Sequence, residues 1–391
     1  MLVSLSILII ASLLAGILFR KLGLPELLGM IFVGIILGPY GFDYVDKQIL
    51  LLSKELRTLA LIIILIRAGL GINRDLLNKV GFNSFKMSFI PCIFEGVSIM
   101  IISHYVLYFD IVTSGILGFI IAAVSPAVVV PQMIALNEYG FGKNKEIPTL
   151  ILAGASIDDV FAITIFTVFL NIKTGKNVNI LQSIIGIPVS IIFGIGIGLI
   201  LGMALVLLFR KFHIRDTKKV LLFIVVAILF NTLEQFFTIA TLLGIMTIGF
   251  VILEKSSEQA KRMASKFGKI WVFAEIVLFT LIGMEVNYKM AFSSQYTVLI
   301  IAVIIFGLVF RSLGVFTALL FSSLNMKERL FCAISYIPKA TVQAAIGAIP
   351  LSMGVAHGEL ILSVAVMSII ITAPVGTVLI KITAPKLLVK N

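Results

Sequence analysis

Residues 125–131 read Ser-Pro-Ala-Val-Val-Val-Pro, and they interrupt an apolar run that extends from about residue 111 to about residue 137. Proline inside a helix removes a backbone hydrogen bond and clashes with the preceding turn. A second interruption, Tyr336-Ile-Pro-Lys-Ala340, lies inside an apolar run at about 328–350. In lipid, a broken helix is tolerated only where the freed backbone groups meet protein or a water-filled cavity. The two stretches therefore predict two interrupted membrane helices around an interior site.

Apolar runs of roughly 20 residues, the length that a membrane-spanning helix needs, cover almost the whole chain. Thirteen runs are found, at about 2–19, 24–41, 49–71, 84–107, 111–137, 148–171, 180–209, 218–237, 238–253, 270–287, 297–323, 328–350 and 358–380. The interrupted runs are the fifth and the twelfth, so they pass through the membrane in opposite directions. Runs 1–6 and 8–13 can form an inverted repeat with run 7 as linker, an arrangement typical of transporters.

The composition is that of a membrane protein rather than of a nucleic-acid-binding protein. The 391 residues are 60% hydrophobic, and 13% are charged, against about 25% in soluble domains. Lys and Arg number 31 against 19 Asp and Glu, but these charges lie mostly in short loops. Twenty-two basic residues fall on one side of the predicted bilayer and six on the other. The positive-inside rule therefore predicts an N-terminus outside and a C-terminus in the cytoplasm.

The cysteines and histidines do not indicate a metal or redox site. Cys92 and Cys332 lie inside apolar runs and are interpreted as small buried hydrophobic residues. His104, His213 and His357 lack metal-ligand spacing. We therefore expect no bound cofactor, and no resident metal other than a transported cation.

Glycines are concentrated in the seventh run, at positions 194, 196, 198 and 202. They resemble a dinucleotide-binding loop only superficially, because no strand–turn–helix context surrounds them. Small residues at four-residue spacing predict close helix packing or bending instead.

A small set of ionisable residues lies inside the predicted membrane segments, where each costs roughly 2.5–3.5 kcal/mol and is a functional candidate by default. The set is Arg67, Glu95, Asp158, Asp159, Glu275, Arg311 and Lys339. Glu95 and Arg311 lie at corresponding places in the two halves and are interpreted as a structural ion pair. Arg67 is interpreted as snorkelling or pairing locally. For Glu275 the sequence does not decide between a cavity and another helix.

Asp158 and Asp159 are neighbours on one predicted helix, so their side chains point about 100° apart. One can pair with Lys339 while the other faces a cavity. Desolvation disfavours a bare carboxylate charge, and an oxygen ligand suits a hard cation such as Na⁺. Competition of H⁺ and Na⁺ for one carboxylate is sufficient for antiport, provided that the empty site cannot cross. The predicted lining of the ion path is Ser125, Pro126, Pro131 and Pro338.

Several alternatives stay open from the residues alone. A K⁺/H⁺ antiporter or K⁺ efflux transporter would use the same site, because ion choice depends on cavity size and ligand number. A cation channel is the alternative of another class. An intramembrane aspartyl protease is disfavoured, since it needs two Asp on separate helices, and no enzymatic activity is expected. Exchange would be one to one if only Asp159 titrates, and two protons would move per Na⁺ if Lys339 also releases one.

Four strings resemble the NHA subfamily of sodium/proton antiporters, which belongs to the cation–proton antiporter superfamily with the NhaA-type fold. They are LIRAGL at 65–70, SPAVVVP at 125–131, GASIDD at 154–159 and PKATVQ at 338–343. The resemblance covers nearly the whole chain. The paired Asp on one helix, with Lys on the second broken helix, is the specific part of it.

The resemblance implies an all-helical polytopic membrane protein with about 13 transmembrane helices, two of them broken and crossed. It implies a dimerisation domain (residues 1–80 and 213–292), a linker helix (176–212) and a mobile core (81–175 and 293–391). Transport would be elevator-like in a homodimer, with Asp159 as the ion-binding carboxylate and Asp158 paired with Lys339. The expected partners are the lipid bilayer, monovalent cations and protons, without nucleic acid. The lack of long soluble tails suggests a bacterial protein, and the resemblance implies an inner-membrane location and a role in pH homeostasis and salt tolerance.

Overall fold

The computed structural model describes residues 2–71, 81–174, 180–212, 214–233, 239–291 and 294–390. Within these residues the regular structure is helical, apart from one isolated β-bridge between Phe141 and Lys390. His213, the predicted division between runs 8 and 9 at residues 237–238, and the predicted domain boundaries at residues 80, 176, 213 and 292 lie outside the described residues.

Seventeen α-helices and one 3₁₀ turn, at Lys143–Lys145, form the described part of the chain. The helices are α1 (Leu2–Lys21), α2 (Glu26–Leu37), α3 (Lys47–Gly71), α4 (Phe82–Val106), α5 (Ile111–Ile121), α6 (Pro126–Glu138), α7 (Ile147–Lys173), α8 (Ile180–Lys211), α9 (Asp216–Thr232), α10 (Thr241–Lys255), α11 (Ser257–Met284), α12 (Tyr288–Ala291), α13 (Ser294–Ala318), α14 (Met326–Ser335), α15 (Thr341–Ile346), α16 (Ile349–Ser352) and α17 (Gly358–Leu387). Each predicted apolar run overlaps one of these helices or one interrupted set of them.

Eight spans among the described residues are long and apolar enough to cross a membrane. They lie in α1, α4, α5 together with α6, α7, α8, α11, α13 and α17. Large apolar side chains cover the outer surface; Ile192 and Ile200 on α8 and Val298 on α13 are 67%, 69% and 67% exposed. Such a surface is compatible with lipid and not with water. The fold is therefore that of an all-helical, multi-pass membrane protein.

The helices pack in two groups. In the scaffold group (α1–α3 and α8–α11), α11 packs against α2 and α3, and α10 packs against α3 and α8. In the site group (α4–α7 and α13–α17), α4 packs against α5, α7 and α13, and α17 packs against α14 and α6. The two groups meet mainly where α7 contacts α8 and α10, and where α15 contacts α3 and α11.

Close packing in the scaffold group depends on the glycines of α8. A Cβ added at Gly194, Gly198 or Gly202 would lie 2.4–2.8 Å from an atom of α10 or of the residue before it. No larger residue fits at that distance without a shift of one helix. The predicted packing role is confirmed for these three positions, whereas Gly196 faces open space.

Both helices that the sequence predicts to be interrupted are interrupted. Residues 122–125 separate α5 from α6, and residues 336–340 separate α14 from α15. The N–H of Ser125 donates a hydrogen bond to the carbonyl of Pro338 at 2.8 Å. The two interruptions are therefore in direct contact.

The two prolines of the first interruption act differently. Pro126 is the first residue of α6, where an N–H would lack a helical partner in any case. The sequence places Pro131 within the interrupted stretch, whereas in the structure α6 continues through it to Glu138. Its missing N–H removes a single bond, the one to the carbonyl of Ala127, and α6 tolerates this loss.

Candidate ion-binding site

Asp158 and Asp159 lie near the middle of α7 and face different surroundings. Asp158 is fully buried, and its Oδ2 accepts hydrogen bonds from the Val124 N–H at 2.7 Å and from Arg311 Nη2 at 2.9 Å. Asp159 lines a cavity of about 1060 Å³. Its Oδ1 is buried and has no hydrogen-bond partner among the described residues. Asp158 is therefore held in place, while Asp159 presents a carboxylate oxygen that can bind an ion or a proton.

Glu95 is the shared acceptor of the buried charges. Its Oε2 accepts from Arg311 Nη1 at 2.6 Å and from Lys339 Nζ at 2.5 Å. The structure thus contains the ion pair expected between Glu95 and Arg311. The expected pair of Asp158 with Lys339 is wrong, because the Lys339 ammonium bonds to Glu95 and Asp158 pairs with Arg311. The guanidinium carries separate nitrogens that can hold two carboxylates at once.

Hydrogen bonds from Arg311 and Gln343 satisfy the backbone carbonyls at the end of α5. Arg311 Nη1 donates to the carbonyl of Ala122, and Gln343 Nε2 donates to three neighbouring carbonyls at 3.0–3.2 Å, those of Ile120, Ile121 and Ala123. The last carbonyls of a helix otherwise lack partners. A role for Gln343 does not follow from the sequence, where its one signal is a polar residue in an apolar run, four positions after Lys339.

The cavity lies between the scaffold group and the site group. It is lined by residues of α1–α3, α10 and α11 on one wall and by residues of α6, α7 and α17 on the other. From Asp159 it extends to Arg20, Tyr139 and Lys381, near the ends of α1, α6 and α17. Arg20 and Lys381 belong to the more basic side of the chain. The cavity therefore connects the middle of the helix bundle with its basic side.

Charged residues of the scaffold group line the wall opposite Asp159. The guanidinium carbon of Arg67 lies 5.6 Å from the ring centroid of Trp271, a cation–π contact. Glu275, whose surroundings the sequence left undecided, lines the cavity beside them. Nearer the mouth, Glu26 forms an ion pair with Arg20 at 2.9 Å. An ion that moves along this cavity thus passes charges of both signs.

The four residues predicted to line the ion path divide into two pairs. Pro126 and Pro131 line the cavity. Ser125 and Pro338 form the hydrogen-bonded contact between the two interruptions instead. The Oγ of Ser125 is buried and has no partner among the described residues, so it remains a potential ligand.

Comparisons with known proteins identify the family of this chain. The family model described as "Sodium/hydrogen exchanger, transmembrane" matches residues 8–386. Sodium/hydrogen exchanger 9B2 of Mus musculus is 35% identical to this chain, over 94% of this chain and 69% of that protein. Sodium/hydrogen exchanger 9B1 of Homo sapiens is 31% identical, over 94% of this chain and 73% of that protein.

A solved structure has the same fold. The sodium proton antiporter MjNhaP1 from Methanocaldococcus jannaschii, at pH 8, superposes with a TM-score of 0.82. The match covers 98% of this chain and 97% of that chain at 18% sequence identity, so it supports the fold alone. The family model and the similar sequences lead to one assignment. The chain belongs to the transmembrane sodium/hydrogen exchanger family.

Proposed function

We propose that this protein is a secondary-active Na⁺(Li⁺)/H⁺ antiporter in which Na⁺ and H⁺ compete for Asp159. One observation carries the proposal: Asp159 Oδ1 is unpartnered at the wall of a large cavity. The other buried charges around it are paired with one another. The names of the similar proteins, sodium/hydrogen exchangers, support the same activity.

The charge balance supports one-to-one, electroneutral exchange. Glu95 and Asp158 supply two negative charges when ionised, and Arg311 and Lys339 supply two positive ones. Asp159 adds one unmatched negative charge, which is costly to move through a low-dielectric region. An Asp159 that holds H⁺ or Na⁺ adds no net charge. Only the two loaded states would then cross, and one H⁺ would exchange for one Na⁺.

The two helix groups support an elevator movement. In this proposal the scaffold group is fixed, forms the homodimer, and guides the sliding of the site group. The proposal includes thirteen crossings and two crossed broken helices, for which the contact between Ser125 and Pro338 is the supporting observation. With the basic side in the cytoplasm of a bacterial inner membrane, the cavity opens to the cytoplasm.

The test is transport by the purified protein in liposomes that contain a trapped pH indicator. We expect gradients of Na⁺ or Li⁺ to drive H⁺ movement, with rates that an imposed membrane potential does not change. H⁺ movement driven by K⁺ alone would identify a K⁺/H⁺ antiporter. Cation movement without H⁺ movement would identify a channel. If gradients of Na⁺, Li⁺ and K⁺ all fail to drive H⁺ movement, the proposal is rejected.

The same assay tests the assigned carboxylate. Asp159→Asn keeps the shape of the side chain and removes its charge, so exchange is expected to fall by about 100-fold or more. Glu138→Gln, at an exposed position at the end of α6, is the matched control and is expected to retain exchange. Normal exchange by Asp159→Asn, at a normal level of folded protein, would remove Asp159 from its role.

A further inference from the structure

The site-group wall of the cavity carries a second set of oxygen atoms, on α6 and α17, that the proposed exchange at Asp159 does not use. Gln132 Nε2 donates to the carbonyl of Val128 at 3.1 Å and to Thr377 Oγ1 at 3.5 Å. These contacts leave Gln132 Oε1 buried and without a partner among the described residues. Gln132 and Thr377 both line the cavity.

Pro131 adds a third oxygen atom to this set. Because it has no N–H, the carbonyl of Ala127, four residues earlier, lacks its helical partner. Ala127 and Pro131 line the same cavity. The other residues of this wall toward the mouth are largely apolar; they include Val130, Ala135, Leu136, Ile380 and Ala384. These oxygen atoms thus form a polar group on a wall that also carries Asp159 and Lys381.

This polar group lies between the cavity mouth and the interruptions. Gln132 is seven residues from Ser125 and seven from Tyr139, so at about 1.5 Å per residue it is about 10 Å from each along α6. Tyr139 lies at the mouth, and Ser125 contacts the second interruption. Thr377 follows Gly376, which packs against Pro338 of that interruption. An ion that moves toward Asp159 passes this group first.

A cation on this route passes three basic side chains, Arg20, Arg67 and Lys381, and two acidic ones, Glu26 and Glu275. Amide, hydroxyl and carbonyl oxygens are the ligands that hard cations accept in place of water. We propose that Gln132, Thr377 and the Ala127 carbonyl form a second, transient site for a partly hydrated Na⁺ or Li⁺. The inference rests on the proposed antiport for its direction of ion movement.

The test is the Na⁺ dependence of exchange by the double variant Gln132→Leu/Thr377→Val in liposomes. Loss of two of the three ligands is expected to raise the apparent KM for Na⁺ about three- to tenfold. The rate at saturating Na⁺ is expected to stay within about twofold of the unmodified protein, because Asp159 is intact. Thr383→Val, the same substitution on α17 at a residue whose hydroxyl bonds to Leu379, is the matched control and is expected to leave KM unchanged.

A purely structural role gives a different result. If the contact of Gln132 with Thr377 only ties α6 to α17, the double variant lowers the melting temperature in detergent and the saturating rate. The apparent KM for Na⁺ and the preference between Na⁺ and Li⁺ then stay as they are. That outcome, in a protein that exchanges Na⁺ for H⁺, overturns the second site and leaves the proposed function in place.

A binding measurement separates the two proposals if exchange itself is absent. In Asp159→Asn, the purified protein is expected to keep a weak, saturable stabilisation by Na⁺ in thermal unfolding. Adding Gln132→Leu and Thr377→Val is expected to abolish it, while adding Thr383→Val is not. Equal Na⁺ dependence with and without the two substitutions, or none in Asp159→Asn, would overturn the second site whatever the fate of the antiport proposal.

Discussion

Glu95 is the side chain on which the buried charge balance depends, because a single oxygen of it accepts from both Arg311 and Lys339. Arg311 in turn holds Asp158. All four side chains are at most 1% exposed. Buried charges are stable only when each has a partner, and removing one partner is far more costly than the net contribution of the pair. Loss of Glu95 would leave two cations facing one anion.

Glu95→Gln is therefore expected to destabilise the folded protein by about 3–5 kcal/mol. The measurement is thermal unfolding in detergent, compared with the unmodified protein. Glu258→Gln is the matched control, since that side chain is 94% exposed on α11, and it is expected to leave the melting temperature unchanged. An unchanged melting temperature in Glu95→Gln, together with lost exchange, would reassign Glu95 from stability to transport.

The identity of the charged residues could be predicted from the sequence, but the partners of Lys339 and Asp158 could not. A charge inside an apolar run is recognisable from composition alone. Its partner depends on which helix lies within hydrogen-bond distance of the residues at 336–340. Glu95 of α4 lies within that distance of Lys339 because the folded chain brings the two segments together, and no spacing in the sequence reports it.

At the scale of elements, α5 is the first half of an interrupted helix, and it begins with a charged cap. The carboxylate of Asp110 accepts from the N–H groups of Val112 and Thr113 at 3.1 Å and from Lys173 Nζ at 2.5 Å. Desolvation raises the pKa of Asp110, but the hydrogen bonds from Lys173 and Thr113 outweigh it and lower the pKa from 3.8 to about 2. The ionised cap therefore stabilises α5 and ties it to α7.

This pKa predicts how the contribution of the cap depends on pH. Since the pKa is lower in the folded protein than in the unfolded chain, the stabilisation is complete above about pH 4 and is lost as the pH falls toward 2. Asp110→Asn is expected to cost about 0.5–1 kcal/mol at pH 7, because the carboxylate is half exposed. Thermal unfolding between pH 7 and pH 2.5 measures the difference from the unmodified protein, which is expected to shrink below about pH 4.

Asp43→Asn is the control for this measurement, because Asp43 is an exposed acid in a loop. It is expected to have little effect at any pH in the range. A destabilisation by Asp110→Asn that stays constant down to pH 2.5 would attribute the effect to the shape of the side chain and not to its charge.

The positions of the interrupted helices could be predicted because proline chemistry is local. The extent of α11 could not be predicted, because its first turns are charged. The predicted run began at residue 270, whereas α11 begins at Ser257. Its first turns carry Arg262, which pairs with Asp216 of α9 at 3.0 Å. These turns are helical because they pack on another helix, and hydropathy cannot distinguish a charged helical turn from a loop.

At the scale of the whole molecule, the two helix groups meet at an apolar seam on α7 just beyond Asp159. The seam encloses a void of about 10 Å³, too little for a hydrated ion. Its residues are Val160, Ile163 and Thr164 of α7, Leu65 of α3, and Leu242, Leu243 and Met246 of α10. The sequence predicts a cavity beside one of the two aspartates, but neither the walls of that cavity nor the seam, because each is formed by helices far apart in the chain. The seam closes the end of the cavity that lies away from the basic side.

If the site group slides against the scaffold group, residues across this seam must separate during transport. A short thiol crosslink between Ile163→Cys on α7 and Leu243→Cys on α10 is therefore expected to reduce exchange to below about a tenth, and cleavage of the crosslink is expected to restore it. The native Cys92 and Cys332 are buried and compete little for the reagent.

The matched control joins Leu65→Cys to Met246→Cys, which line the same void but both belong to the scaffold group. This crosslink is expected to leave exchange largely intact, since the scaffold group does not change shape in an elevator movement. Complete crosslinking of the Ile163 and Leu243 positions with undiminished exchange would show that the groups do not move past each other. Asp159 would then have to reach the two sides of the membrane by local rearrangement around a stationary α7.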